Sequence, residues 1–426
     1  MTEQEAIAYI DSYYTNVTAP GLHRIRAFTD ALGRPQDGLK FVHVAGTNGK
    51  GSTCAMLASV LRAAGYKTGL FTSPHIHRFE ERMQINGEPI PGETLAALVA
   101  ELRVAAENMS EKLHQFELTT GIALTWFARE KCDIVVLEVG LGGEFDATNV
   151  IETPECAVIA NIGYDHTAIL GDTLSEIAEA KAGIIKSGGD VVFYPAEPEV
   201  EAVLRETAER VGARLHAADF SAIRLREEDL TGQSFDAAGW EALRLPLLGA
   251  YQRRNAAVAL TACRVLAEKG WKIDESAIRR GLETVRWPAR LEVAVRKPLF
   301  LVDGGHNPQC LSALTESLTE LVGNKKIVFL VGVLQDKDAE GMISLLSPCA
   351  EAFVAVTPDS PRAIPAAALA GLLKKSGRPV HASDSIEQGI RTAISLAGEN
   401  GVICCAGSLY LTGDVLSLVS QFLPTA

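Results

Sequence analysis

The sequence predicts an α/β protein with mostly parallel sheets and two domains. Its 426 residues exceed the length of one ordinary domain. Short apolar, β-rich runs alternate with helical patterns, which is typical of a parallel sheet covered by helices on both faces. At residues 285–298, "VRWPARLEVAVRKP", this alternation breaks, and it then starts again. We therefore expect one domain at residues 1–288 and a smaller one at residues 289–426.

The first domain alternates strands and helices from residue 40 onward. The predicted strands are Lys40–Ala45, Lys67–Phe71, Ile134–Val139, Cys156–Ile162 and Val191–Tyr194. The predicted helices are Ser52–Ala64, Gly92–Glu107, Glu117–Glu130, Leu174–Ile185, Gln252–Lys269 and Glu275–Val285. Residues 200–245 are polar and less regular, which predicts a few antiparallel strands at the edge of the sheet.

The second domain repeats the same alternation on a smaller scale. Its predicted strands are Leu299–Asp303, Lys326–Leu334, Ala352–Val356, Pro379–His381 and Val402–Gly407. Its predicted helices are Pro308–Leu321, Ala363–Lys374, Ser385–Ala397 and Leu409–Phe422. Two neighbouring α/β domains predict a substrate cleft, because ligands bind preferentially at such places.

Composition narrows the class of protein. Hydrophobic residues make up 47% of the chain and charged residues 22%, as in globular enzymes. The formal charge of -13 argues against a nucleic-acid partner. No apolar run is long enough to span a bilayer, and the acidic start "MTEQEAIAYI" is unlike a signal peptide. Eight cysteines without a CxxC motif indicate a reduced, cytoplasmic protein.

A glycine-rich turn in "FVHVAGTNGKGSTCAML", residues 41–57, follows the first strand and precedes a helix. This order is typical of a phosphate-binding loop, in which backbone N–H groups and a lysine, here Lys50, meet phosphate oxygens. We expect Ser52 and Thr53 to cap the helix. A tight connection that binds no nucleotide is the alternative. Because Gly51 stands where such loops carry Ser or Thr, a bound Mg²⁺ needs oxygen ligands from elsewhere.

Three polar residues at the ends of other predicted strands can supply those ligands. Ser73 follows the second strand in "TSPH", Glu138 ends an apolar strand in "VVLEVGLGG", and His166 closes "NIGYDH". The carboxyl ends of parallel strands meet at one edge of a sheet, where ligands bind. The alternatives are a Glu138 that accepts a backbone hydrogen bond and a structural His166.

Eight motifs carry a family resemblance. They are "HVAGTNGKGS", "TSPH", "LEVGLGGEFDATNV", "GYDHTAILG", "AKAGIIK", "RWPARLE", "DGGHNP" and "AGSLYLTGD". In this order they resemble folylpolyglutamate synthases and dihydrofolate synthases, ATP-dependent acid–amino-acid ligases of the Mur ligase superfamily. The resemblance runs from about Ile10 to Phe422. It implies a P-loop domain of the Mur ligase central type followed by a Rossmann-like domain, with ATP bound between them.

The resemblance also implies the reaction and its phosphate site. ATP converts the terminal carboxylate of the substrate into an acyl phosphate, which the amine of L-glutamate attacks. The residues implied to cradle the triphosphate are Gly46, Thr47, Asn48, Gly49, Lys50, Gly51 and Ser52. Ser73 and Glu138 would hold one Mg²⁺, and Glu138 with His166 a second. Lys50, His166 and Lys181 are implied to be catalytic.

Further roles follow from the same resemblance. Lys181 in "EAKAGIIK" matches a carbamylated lysine, although the residues alone favour a lysine in a salt bridge on a helix face. The residues implied to contact ATP outside the loop are Gln252, Asn255, Arg290, Asp303 and His306, the last two also lying near the incoming glutamate. Helix capping and an ordinary turn are the alternatives for these positions. The pterin is expected near the short helical N-terminal lead and the Ser73–Arg82 loop, with Ser73, His75 and Arg82 as substrate contacts.

The chain departs from the family pattern at a few positions, and it leaves some questions open. Glu144 replaces the usual arginine after "GLGG", and Ala180 replaces the usual acid before Lys181. Ala289 replaces the usual glycine and Gly305 the usual alanine, so both positions keep a small residue. Other Mur-type ligases and a nucleotide-dependent switch remain the alternatives. The substrate is 7,8-dihydropteroate, a reduced folate or both. A requirement for K⁺ stays open, and a monomer is expected.

Overall fold

The computed structural model describes residues 1–14 and 21–422, so residues 15–20 of the predicted helical lead lie outside the described part of the chain. The chain forms two compact units. The first comprises Met1–Arg224, Phe235–Arg244 and Arg253–Val285. The second comprises Leu225–Ser234, Leu245–Gln252 and Arg286–Ala426.

The first unit is built on an eight-stranded sheet. Its strands are β1 (Phe41–Ala45), β2 (Thr68–Phe71), β3 (Met83–Ile85), β4 (Glu88–Pro89), β5 (Ile134–Glu138), β6 (Cys156–Ile159), β7 (Asp190–Phe193) and β8 (Arg214–Ala217), in the spatial order β4-β3-β2-β5-β1-β6-β7-β8. All neighbours from β2 to β8 pair in parallel, and the two pairs that β3 makes, with β2 and with β4, are antiparallel. This confirms the prediction of a mostly parallel sheet.

Helices connect these strands. They are α1 (Glu3–Asp11), α2 (His23–Ala31), α3 (Lys50–Ala63), α4 (Gly92–Glu107), α5 (Gln115–Arg129), α6 (Thr167–Leu170), α7 (Leu174–Ala182), α8 (Pro198–Val211), α9 (Ala250–Glu268) and α10 (Glu275–Thr284). The predicted cap of α3 is wrong. The helix begins at Lys50 after a left-handed Gly49, so Ser52 and Thr53 lie inside its first turn.

The prediction for residues 200–245 is partly wrong. Val200, Leu204 and Ala208 are buried at helical spacing in α8, whose charged outer face made the segment look irregular. The edge strand β8 is parallel to β7 rather than antiparallel. The remaining strands, β9 (Arg224–Asp229), β10 (Gly232–Ala237) and β11 (Trp240–Leu245), form a separate three-stranded sheet in the order β11-β10-β9.

The second unit carries a six-stranded sheet, in the order β12-β13-β17-β14-β15-β16. Its strands are β12 (Glu292–Arg296), β13 (Leu299–Val302), β14 (Ile327–Val331), β15 (Ala350–Ala355), β16 (Val380–Ala382) and β17 (Val402–Ala406). Its helices are α11 (Pro308–Val322), α12 (Ala339–Leu346), α13 (Ala366–Leu373), α14 (Ile386–Ala397) and α15 (Leu409–Phe422). The sequence prediction missed β12, an antiparallel edge strand, and the short helix α12.

The strand order of the first unit brings the predicted site segments together. β2, β5, β1 and β6 are four adjacent parallel strands, so the segments that follow them leave the sheet at the same edge. Those segments begin at Thr72, Val139, Gly46 and Ala160. Within the described ranges, no helix has the length and hydropathy that crossing a membrane requires.

Candidate active site

The loop between β1 and α3 depends on two glycines. Gly46 (φ 149°) lies against Ala160, and a Cβ on Gly46 would come within 2.8 Å of the Ala160 Cβ. Gly49 (φ 82°) lies so close to the Asn255 amide that a side chain there would overlap it. The Thr47 and Asn48 N–H groups both donate to the Asn161 carbonyl, at 2.7 and 3.2 Å. The loop is therefore tied to the segment after β6.

The amino end of α3 presents a positive environment next to this loop. A helix leaves the N–H groups of its first turn without intrahelical acceptors, and those of Lys50 and Gly51 belong to this turn. The Lys50 ammonium donates to the Thr47 carbonyl at 3.2 Å, which holds the side chain over the loop. This arrangement suits a phosphate group, because backbone dipoles and a lysine charge converge on one place.

The structure brings Ser73 and Glu138 together. Glu138 is the last residue of β5 and only 4% exposed, and its Oε2 accepts a hydrogen bond from the Ser73 N–H at 3.1 Å. The contact follows from the register of the sheet, in which Phe71 of β2 pairs with Leu137 of β5. A buried carboxylate and a neighbouring hydroxyl provide hard oxygen ligands of the kind that Mg²⁺ prefers.

His166 lies farther along the segment that follows β6. It caps the short helix α6 in a left-handed conformation (φ 51°), and its N–H donates to Asp165 Oδ1 at 2.9 Å. In residues 1–14 and 21–422, no three His, Cys, Asp or Glu side chains are grouped so that they could hold a metal ion by themselves. Ser73 and Glu138 therefore fit a Mg²⁺ only if substrate phosphate oxygens and water complete its coordination.

Lys181 is buried beside the phosphate loop. It is 3% exposed and its ammonium donates to the Gly46 carbonyl at 3.0 Å. Burial, with the nearby charge of Lys50, lowers the pKa of Lys181 to about 7. A salt bridge on a helix face was the alternative for this residue, but its ammonium donates to a backbone carbonyl and its side chain is buried. At neutral pH its amine is therefore partly uncharged and nucleophilic.

The loop that contains Glu144 rests on α7. The Glu144 N–H donates to the Ala180 carbonyl at 2.8 Å, and the Glu144 carbonyl accepts from the Asn149 side chain at 2.9 Å. The Glu144 side chain itself is exposed. Compared with the arginine that the family resemblance implies, Glu144 therefore changes a surface charge and leaves the backbone contacts of the loop in place.

His75 and Arg82 meet within the Ser73–Arg82 loop. Arg82 Nε donates to His75 Nδ1 at 3.0 Å, and the Arg82 guanidinium lies 5.2 Å from the centre of the Phe79 ring. Burial, followed by the charge of Arg82, lowers the pKa of His75 to about 4. The sequence prediction missed Glu81, whose carboxylate accepts the N–H groups of Ile76, His77 and Arg78 and so shapes the loop.

In the second unit, Asp303 organises the turn that carries Arg290. The buried Asp303 carboxylate accepts hydrogen bonds from the N–H groups of Leu291 (2.9 Å) and Gly305 (2.7 Å) and from the Tyr251 hydroxyl (3.2 Å). Burial raises the pKa of Asp303, and the charge of Arg290 opposes that rise. Tyr251 was missed because nothing in the sequence indicates a partner 52 residues away.

The remaining predicted residues are placed as follows. His306 Nδ1 lies 2.9 Å from the Gly304 carbonyl. Asn255 lies against Gly49 of the phosphate loop, whereas Gln252 is fully buried near the start of α9. Asn255 is thus the residue of this pair that the first unit places beside the phosphate loop.

Comparison with known families gives the class of protein. The model of the Mur ligase middle domain matches residues 44–263, and that of the Mur ligase glutamate ligase domain matches residues 289–409. The two matches together define a Mur-type ligase.

Individual relatives narrow the class. A dihydrofolate synthase/folylpolyglutamate synthase of Bacillus subtilis (strain 168) is 37% identical over 423 residues, which cover 97% of this chain and 98% of the relative. The structure of Mycobacterium tuberculosis folylpolyglutamate synthase complexed with ADP and AMPPCP matches with a TM-score of 0.90 at 32% identity, covering 98% of each chain. That of E. coli FolC in complex with DHPP and ADP matches with a TM-score of 0.89 at 30% identity, covering 99% of this chain and 98% of that one. The chain belongs to the folylpolyglutamate synthase and dihydrofolate synthase family of Mur ligases, as the motifs predicted.

Proposed function

We infer that this chain is an ATP-dependent ligase that joins L-glutamate to the carboxylate of a pteroate or folate. The observation that carries this inference is the placement of the glycine-rich loop with Lys50, Ser73 and Glu138 after three adjacent strands of one sheet. The relatives that match along the full chain are folate enzymes, which favours this function over other Mur-type ligases and over a nucleotide switch.

We assign the phosphate end of the reaction to the loop and α3. Residues Gly46–Ser52 surround the triphosphate, and Lys50 stabilises the charge that develops on the transferred phosphoryl group. Ser73, Glu138 and His166 are the residues proposed to hold two Mg²⁺. A bound Mg²⁺ screens the repulsion between the phosphates and the substrate carboxylate. The acyl phosphate that forms is then attacked by the amine of L-glutamate, and phosphate leaves.

Lys181 is proposed to carry a carbamate. Its pKa of about 7 leaves a fraction of the amine neutral, and a neutral amine adds to carbon dioxide. The carbamate would replace a buried positive charge by a negative group beside the loop. ¹³C-labelled bicarbonate tests this proposal, because a carbamate carbon signal should appear in the wild-type protein and be missing from Lys181→Ala.

The other assignments complete the proposal. Ser73, His75 and Arg82 contact the pteroate or folate, and Gln252 and Asn255 contact adenine. Arg290, Asp303 and His306 serve the nucleotide and the incoming glutamate, with 1–288 and 289–426 as the functional division of the chain. We also propose a monomer located in the cytoplasm, consistent with eight cysteines that are all free thiols.

Phosphate release from ATP tests the function. The assay contains L-glutamate and Mg²⁺ and offers 7,8-dihydropteroate in one reaction and tetrahydrofolate in another. Glutamate-dependent release with both substrates establishes two activities, and release with one of them names the substrate. The assay without glutamate is the control, since a nucleotide switch would release phosphate there as well. No glutamate-dependent release with either substrate from folded protein would contradict the proposed function.

A further inference from the structure

A buried histidine lies in the strand that leads into the phosphate loop. His43 is the central residue of β1, is 0% exposed, and is flanked by Leu137 of β5 and Ala157 of β6. Its Nε2 lies 2.9 Å from the Thr148 hydroxyl, although the two residues are 105 positions apart. None of the roles assigned above uses this side chain.

Thr148 passes the contact on to Asp146. Its hydroxyl donates to Asp146 Oδ1 at 2.5 Å, and its N–H donates to the same oxygen at 3.0 Å. Asp146 Oδ2 accepts the N–H groups of Gly140 (3.1 Å) and Leu141 (2.9 Å). The carboxylate thus joins both ends of the Gly140–Thr148 loop, whose first residue lies two positions after Glu138.

The hydrogen positions in this chain of contacts are fixed by counting donors. Asp146 accepts four hydrogen bonds, which favour its ionised form against the burial that raises its pKa. An ionised Asp146 can only accept, so the single hydroxyl hydrogen of Thr148 is donated to it and the Thr148 oxygen accepts from His43. His43 is therefore the Nε2–H tautomer, with a bare Nδ1. Within residues 1–14 and 21–422, no hydrogen-bond partner reaches this Nδ1 atom. Burial, with a smaller effect of Lys186, lowers the pKa of His43 to about 3, which keeps the ring neutral.

The loop that Asp146 holds also contacts the segment around Lys181. The Glu144 N–H donates to the Ala180 carbonyl, and a Cβ on Gly143 would lie 2.8 Å from the carbonyl oxygens of both Ala180 and Lys181. Asn149 donates to the Gly183 carbonyl at 3.2 Å. A displacement of the loop would therefore move the backbone of α7 at Lys181 as well as the chain after Glu138.

We propose that His43 and Thr148 are positioning residues, which hold Asp146 and through it fix the Gly140–Thr148 loop between Glu138 and Lys181. This inference rests on the proposed function. Neither side chain needs to touch substrate. Removing a residue that orients reacting groups without touching substrate lowers activity by about tenfold to a hundredfold, because such a residue sets the geometry of the groups that react.

Three single variants test the proposal. Thr148→Val keeps the shape of the side chain but removes the hydroxyl, whereas Thr148→Ser keeps the hydroxyl. Thr125→Val is the matched control, because Thr125 is also buried in the first unit and its hydroxyl donates only to the Gly121 carbonyl within α5. We expect Thr148→Val to lower kcat by about tenfold or more, with KM for ATP changed by less than about threefold. Thr148→Ser and Thr125→Val should stay within about threefold of wild type.

Equal kcat values for Thr148→Val, Thr148→Ser and Thr125→Val would overturn the proposal. A wild-type protein without glutamate-dependent activity would instead contradict the proposed function, so the two failures are distinguishable. ¹⁵N NMR of the wild-type imidazoles, assigned with His43→Gln, gives a readout that does not need activity or a stable Thr148 variant. A neutral His43 protonated at Nε2 supports the proposed hydrogen bonds from His43 to Thr148 and from Thr148 to Asp146, and protonation at Nδ1 would refute them.

Discussion

Two buried charged residues of the first unit lie at opposite ends of the strands of one sheet, Asp190 at the amino end and Lys181 beside the carboxyl end. The charge of Asp190 is surrounded by opposite charges, whereas Lys181 contacts a neutral carbonyl. Asp190 begins β7, and its side chain is 1% exposed. It accepts hydrogen bonds from Arg214 (2.8 Å) and His216 (2.8 Å), and Lys269 lies 3.1 Å away. Lys181 lies next to the loop that follows β1, where it meets a carbonyl and the repulsion of Lys50.

The pKa values express this difference. Burial alone would raise the pKa of Asp190, but hydrogen bonds from its basic neighbours outweigh burial and lower the pKa to about 2. Burial of Lys181, together with the charge of Lys50, outweighs the opposing charges of Asp165 and Asp146, so the pKa of Lys181 falls to about 7. The basic neighbours of Asp190 offset its buried negative charge and connect β7 to β8 and to Lys269, which follows α9. At the carboxyl edge the neighbouring ammonium groups of Lys50 and Lys181 leave excess positive charge, which an anionic group such as phosphate can offset.

Removing Lys50 should have the largest effect, because its charge would act on the transferred phosphoryl group. Lys50→Ala should lower kcat by about a thousandfold, whereas the free energy of unfolding should change by less than about 1 kcal/mol. Steady-state phosphate release and urea unfolding measure the two quantities. Lys67→Ala, which removes an exposed ion pair with Glu130, is the control. Near-normal turnover of Lys50→Ala would refute the assignment of the phosphate site.

Removing the charge of Asp190, which basic neighbours offset, should lower stability and leave kcat unchanged. Asp190→Asn should lower the free energy of unfolding by about 2–3 kcal/mol, since three basic groups lose their acceptor. Asp30→Asn, which breaks an exposed pair with Arg34, should cost less than about 1 kcal/mol. Because the folded pKa of Asp190 lies below its ordinary value of 3.8, its contribution is complete above about pH 4 and is lost toward pH 2. An Asp190→Asn protein of unchanged stability would mean that the ion pairs of Asp190 do not stabilise the fold.

The buried ammonium of Lys181 should also make stability rise with pH, but above neutral pH rather than in acid. The pKa of Lys181 is about 7 in the folded protein and 10.5 ordinarily, so the unfolded chain binds more protons between these values. Wild-type stability should therefore rise, relative to Lys181→Met, by about 2 kcal/mol from pH 7 to pH 9. Urea unfolding in buffer free of carbon dioxide measures this difference. A difference that does not change with pH would mean that Lys181 is not held as a buried amine.

The sequence was sufficient for the parts of the fold and site that depend on local pattern. Apolar runs that end in Ser73, Glu138 or a glycine-rich turn predicted strands with polar ends, and parallel pairing then placed those ends at one edge. The α8 helix was missed because its buried residues are few among charged ones. Local pattern alone cannot distinguish such a helix from an irregular polar segment.

The contacts that tune the site could not be predicted in this way. The burial of Lys181 depends on α7 packing beside the Gly46 carbonyl, and 135 residues separate the two partners. The same holds for Tyr251 with Asp303 and for His43 with Thr148. These pairs form only when the chain is folded, since no local pattern indicates which distant residue each member contacts.

Glu144 gives the smallest effect and the finest test of the comparison. Its backbone is fixed by Ala180 and Asn149, but its side chain is exposed, so a changed charge there acts through solvent. Glu144→Arg, which restores the usual family residue, should raise kcat/KM by less than about threefold, and added salt should remove the gain. Glu144→Gln separates the loss of the negative charge from the gain of a positive one. A gain of about tenfold or more that persists at high salt would mean that the arginine contacts a substrate directly, since a direct hydrogen-bonded ion pair is screened less than an exposed charge. In that case the charge at residue 144 would act on the substrate site directly, as the charges of Lys50 and Lys181 are proposed to do.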